Sequence, residues 1–119
     1  MPRNRTNPDF LNGIPELLIL RLLSHKPMHG YELVRMIARS SGGKLEFGEG
    51  CVYPLLHRLE IDGALVSRRE DNGGRSRVVY RVSSAGKKRL ANSSARWQDV
   101  VDAVQMVLQG GMHGNARLA

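Results

Sequence analysis

The stretch "PELLILRLLS", Pro15 to Ser24, restricts the fold more than any other part of the chain. Proline at the first turn with glutamate beside it suits a helix N-terminus. Leu17, Leu18, Ile19, Leu20, Leu22 and Leu23 then cover most of the circumference, interrupted only by Glu16, Arg21 and Ser24. A helix apolar on nearly all sides has to be covered on more than one of them. A chain of 119 residues favours one small domain with perhaps one appended element, so such cover is scarce. The expectation is a first helix packed all round, with a second copy of the chain supplying part of the cover.

The remaining pattern is read in order. "HKPMHG", His25 to Gly30, is a turn. Tyr31 to Ser41 is a second helix with Leu33, Val34, Ile37 and Ala38 inward, ended by Gly42 and Gly43. Lys44 to Phe47 suits a short strand. A third helix, from about Gly50 to Asp62, places Val52, Leu55, Leu56 and Leu59 on one face, and Gly63 stops it. "DNGG", Asp71 to Gly74, is a tight hairpin turn between two runs of strand-forming residues. Ser83 or Ser84 caps a long last helix, roughly Ala85 to Gln109. Three short helices followed by a basic hairpin are the parts of a winged helix. The expected fold is mainly α with a small β-hairpin: a winged helix-turn-helix plus a long C-terminal dimerisation helix. The expected division is a flexible arm at 1–10, the winged-helix domain at 11–83, the dimerisation helix at 84–109 and a flexible tail at 110–119.

Charge narrows the function. The net charge is +7 and the pI about 10.3, which points to an acidic partner, most commonly nucleic acid. The charge is concentrated: Val66 to Arg89 holds eight basic residues (Arg68, Arg69, Arg75, Arg77, Arg81, Lys87, Lys88, Arg89) against Glu70 and Asp71. A single cysteine excludes an intramolecular disulfide framework. The first ten residues lack a signal-type apolar run, and no run approaches the roughly 20 residues of a membrane span, so a cytoplasmic protein without a membrane partner is expected. His25, His29, His57 and His113 have no paired metal spacing. With no catalytic triad, Walker loop or dinucleotide motif, no enzyme, metal or cofactor is expected.

In a helix-turn-helix the second helix enters the major groove with its N-terminal residues nearest the bases. Here that is the helix opening "GEGCVYPLLHR", whose outward residues are Cys51, Tyr53, Pro54, His57 and Arg58. Pro54 is placed in the first turn, where its missing N–H is harmless. Tyr53 can donate to phosphate or pack against the hairpin; Arg58 can reach phosphate or guanine, or pair with Glu60 or Asp62. Arg75 and Arg77, just after the hairpin turn, would lie along the backbone or in the minor groove, and Lys44 would bind phosphate.

Four blocks, "LNGIPELLILRLL" (11–23), "HGYEL" (29–33), "GCVYPLLHRLEIDGAL" (50–65) and "RVVYRVSSAGKKRL" (77–90), resemble the PadR family of transcriptional regulators, in its small subtype with one helix after the winged domain. The resemblance implies a homodimer on a palindromic double-stranded operator, usually acting as a repressor, with the last helix forming much of the dimer interface against the first. It implies a DNA-backbone role for Tyr31 beside Tyr53 and Pro54. Cys51 departs from the family, where many members have Thr or Ser, and a thiol is a weaker donor.

In the last helix Leu90, Trp97, Val101, Val104 and Leu108, with Ser94 filling the gap, form a four-three seam expected to meet the first helix at Leu18, across to the partner. Trp97 is either an interface anchor or a platform for a small aromatic or hydrophobic effector, which the resemblance implies for some members. Three alternatives stay open: a winged-helix module for RNA or protein, a thiol-based redox-sensing regulator acting through Cys51, and an effector-binding dimer without a DNA role.

Overall fold

The computed structural model describes residues 7–110. Its elements are α1 (Asn7–His25), β1 (Met28–His29), α2 (Gly30–Ser40), α3 (Glu49–Ile61), β2 (Leu65–Asn72), β3 (Arg75–Val82) and α4 (Ser84–Leu108). This is the mainly helical winged helix-turn-helix expected from the pattern. Residues 1–6 of the expected arm and 111–119 of the expected tail lie outside the described residues.

α1 starts earlier than Pro15, so residues 7–10, expected in an arm, are helical and Pro15 lies inside the helix. A proline forfeits one intrahelical bond, and burial of Pro15 against the domain offsets that loss. The all-round apolar segment packs as its composition demands. Ile19, Leu20 and Leu23 are fully inside, while Leu18 and Leu22 pack against that core from its margin. Leu33 and Ile37 of α2, Val52, Leu56 and Leu59 of α3, and Leu65 and Tyr80 of the sheet complete it.

Two expectations about the loops change. The stretch 28–29, read within a turn, is a strand: Met28 pairs with Tyr80 and His29 with Val79, making a three-stranded sheet of order β1-β3-β2. Two residues are too few to carry an alternation, so only the open edge of β3 reveals the pairing. Lys44 to Phe47 is not a strand. The Leu45 N–H is instead bonded to the Ser41 hydroxyl at 3.0 Å, which ties the segment back to the end of α2.

The stops behave as their residues dictate. After α3, Gly63 takes a φ of 84°, its N–H bonds the Glu60 carbonyl at 3.0 Å, and the Ala64 N–H bonds Leu59 at 2.8 Å. This is the paired closure that glycine makes possible at a helix end. Ser83 caps α4, its hydroxyl accepting from the Gly86 N–H at 3.1 Å. At the hairpin tip Gly73 and Gly74 both have positive φ, 62° and 83°, as a two-residue turn between twisted strands requires.

Candidate nucleic-acid interface

α3 divides largely as its periodicity predicts: Val52, Leu56 and Leu59 are buried, Leu55, expected with them, is half-buried against the core, Pro54, His57 and Arg58 are exposed, and Cys51 and Tyr53 are half-buried. The helix begins at Glu49, which puts Pro54 in its second turn, not its first. The missing N–H therefore leaves the exposed Gly50 carbonyl without its helical partner, free for water. Gly48 caps the helix without a side chain, leaving the first N–H groups open at a positive dipole end.

Tyr53 is seated on Gly30 and packs at the margin of the core that includes Tyr80 of β3. A Cβ at Gly30 would collide with the Tyr53 ring, so the phenol lies directly on the first residue of α2. That contact brings the starts of α2 and α3 together, with Tyr31, half exposed, at the same end. Arg58 pairs with neither neighbouring acid: Glu60 accepts from the Ser67 hydroxyl at 2.6 Å, and Asp62 from Arg89 at 3.1 Å.

α2 is capped by His29, whose Nδ1 accepts from the Glu32 N–H at 3.2 Å. In the neutral ring this puts the proton on Nε2. Arg77 stands 3.2 Å from that nitrogen, and the Glu32 carboxylate at 3.9 Å. Arg77 can only donate, so it bonds Nε2 only in the other tautomer, and the Glu32 N–H and Arg77 compete for the one acceptor of the neutral ring. Glu32 also meets Lys26 at 3.5 Å. Arg77 is thus half-buried against β1, whereas Arg75 stands exposed beside the tip, as Lys44 stands exposed after α2.

Alternation sorts the other wing arginines by face. Arg69 donates to Ser76 at 2.9 Å across the strands. Arg68, on the opposite face, is held by Glu70 through Nε at 3.0 Å and a terminal nitrogen at 2.7 Å. Arg81 is exposed. Arg89, counted with the basic cluster in the sequence, belongs elsewhere. It binds Glu16 of α1 and Asp62 beyond α3, contacts that raise its pKa further, the Glu16 bond foremost.

Arg35 and Arg39, not among the expected site residues, line up behind Tyr31. Tyr31, Arg35 and Arg39 follow one another at four-residue steps and are all exposed, with the Arg35 guanidinium 5.8 Å from the centre of the Tyr31 ring. The four-residue spacing is visible in the sequence itself. Among the described residues, no group of three or more His, Cys, Asp or Glu is arranged to hold a metal, and no helix is long and apolar enough to cross a membrane.

On α4, Val101 is half-buried, while Trp97 is 36% and Val104 50% exposed, rising to 77% at Leu108. The near end of α4 packs on α1 of its own chain, including Arg89 on Glu16.

Comparison with known proteins agrees with this arrangement. The chain is 32% identical over 105 residues to the transcriptional regulator Rv3488 of Mycobacterium tuberculosis, spanning 88% of this chain and 92% of that one. A PadR family transcriptional regulator from Eggerthella lenta superposes with a TM-score of 0.72 at 28% identity, covering 86% of this chain and 87% of its own. A PadR family regulator from Clostridium difficile gives 0.69 at 26% identity, with 81% and 99% covered. The PadR-like transcriptional regulator family matches residues 19–92, most of the winged helix and the start of α4. The chain belongs to the PadR-like family of transcriptional regulators.

Proposed function

We propose that the chain binds double-stranded DNA as a homodimer, recognises a palindromic operator and represses transcription until a small aromatic or hydrophobic effector releases it. The observation that carries the DNA reading is the separation of charge. Five acids of the winged domain are engaged internally, Glu16 and Asp62 by Arg89, Glu32 by Lys26, Glu60 by Ser67 and Glu70 by Arg68; Glu46, Glu49 and Asp71 stand exposed, outnumbered by the exposed Arg35, Arg39, Lys44, Arg58 and Arg75. In this reading α3 enters the major groove with Cys51, Tyr53, Pro54, His57 and Arg58 facing outward. Tyr31 leads α2 along the backbone with Arg35 and Arg39 behind it. Arg75 takes the adjacent backbone or minor groove, and Arg77 supports the wing from His29.

Dimerisation is supported by the distal part of α4, where Met106, Val107 and Leu108 are 56%, 73% and 77% exposed. A monomer leaves these side chains in water; a second copy covers them. Trp97, beside Val101 and Val104 on the same helix, supplies the flat apolar surface for an effector.

Binding of DNA selected from a random pool, titrated against salt, tests the reading. Four phosphates neutralised per chain correspond to a slope of log K against log salt of roughly −7 for the dimer, at about −0.9 per phosphate. Arg75→Ala is expected to make it shallower by about 2 on operator and unrelated DNA alike. A flat salt response, or equal affinity for shuffled DNA, overturns the proposal.

A further inference from the structure

The start of α4 is tied to the end of α3 at several independent points. The Ser83 hydroxyl donates to the Gly63 carbonyl at 2.6 Å, and the Ser83 N–H to the Ala64 carbonyl at 3.0 Å. One turn on, Gly86 lies so close to that Ala64 carbonyl that a Cβ would collide with it. One turn further, Arg89 donates from Nε to Glu16 at 2.9 Å, from one terminal nitrogen to the other Glu16 oxygen at 3.1 Å, and from the second terminal nitrogen to Asp62 at 3.1 Å. Asp62 is the C-cap of α3, and Glu16 lies in α1. A fork of fixed geometry joining two acids on two elements resists tilt as a single-point contact cannot.

The length of α4 makes tilt consequential. From Arg89 to Leu108 the helix runs about 28 Å at 1.5 Å per residue. A tilt of about 10° at the joint displaces the far end by about 5 Å, which exceeds the roughly 3.4 Å rise of one base pair. We infer that Arg89 is a positioning residue that sets the separation of the two α3 helices in the dimer, and through it the half-site spacing the protein accepts. This rests on the proposed operator-binding dimer.

Two measurements test it separately. Spin labels at Ile61→Cys on α3 and Gln105→Cys on α4, in a Cys51→Ser background diluted into unlabelled chain, report the tilt without DNA. A single narrow distance distribution is expected with Arg89, and a distribution that broadens or shifts by several ångströms with Arg89→Gln. Glu16→Gln, which weakens the same fork from its other side, is expected to act in the same direction, and serves if Arg89→Gln does not fold. Binding is then compared on operators whose half-sites are moved one base pair closer or further apart. The unaltered chain is expected to lose about tenfold or more on either, the range of a wrong base pair, and Arg89→Gln less than about threefold. The two should bind a single half-site equally and share one salt slope. An unchanged distance distribution, or an unchanged spacing profile, overturns the assignment. So does a salt slope shallower by about 0.9 per chain, which would place Arg89 on phosphate. An unaltered chain with no spacing preference overturns the operator reading, and the spacing role with it, while the label distances still report on the joint.

Discussion

Tyr53 shows what one side chain owes to its neighbour. Helix phase alone places it on the outward edge of α3, but only the absence of a Cβ at Gly30 lets the ring settle there. Gly30→Ala should push the phenol aside. Because the far end of a ring can swing, the stability loss should stay near 1 kcal/mol, the low end for overpacking. DNA affinity should fall on the order of tenfold, as for the loss of about one hydrogen bond to phosphate. Denaturant midpoints and binding isotherms on the same variant separate the two. Tyr80, at the other extreme of burial, titrates late: burial raises its pKa above 10.0, with the Glu60 charge adding to the effect. The folded state then holds the phenolic proton more tightly than the unfolded state. This contribution is complete below about pH 10 and is lost as pH rises through the folded value. Tyr80→Phe should remove it, so urea midpoints of the two proteins should converge, or cross in favour of phenylalanine, between pH 9 and about pH 11.

At the scale of elements, the amphipathic pattern decides most of what happens within a helix and little of what happens between elements. Val52, Leu56 and Leu59 are inward as their spacing requires, and Gly63 closes α3 as a glycine after a periodic run should. Gly63→Ala forces a side chain to a φ of 84° and should cost about 1–2 kcal/mol, read as a shift of the thermal or urea midpoint with no change in salt slope. The two-residue strand β1, the contact of Arg77 with His29 and the fork of Arg89 were not legible. A two-residue strand has no period, and an arginine paired across 48 or 73 positions of sequence looks like any other surface cation. Arg35 and Arg39 were legible from their spacing, but the wing held the denser charge.

For the whole molecule, the far end of α4 stands out, with Met106, Val107 and Leu108 exposed in the single chain. Placing a charge there, Val107→Glu, should leave the winged helix folded and yield a monomer in sedimentation, with operator affinity reduced about a hundredfold or more as the second half-site is lost. The all-round apolar first helix, the third helix with its buried and outward faces, the hairpin and the family were all determined by sequence. Periodicity, glycine and serine punctuation and local charge are properties of neighbours in the chain, and they act before any long-range contact forms. The tertiary structure alone decided which arginines are spent on structure, where Tyr53 rests, and how α4 is set against α3. Each of those depends on groups far apart in sequence meeting within a few ångströms, and the chain does not write such distances into its local pattern.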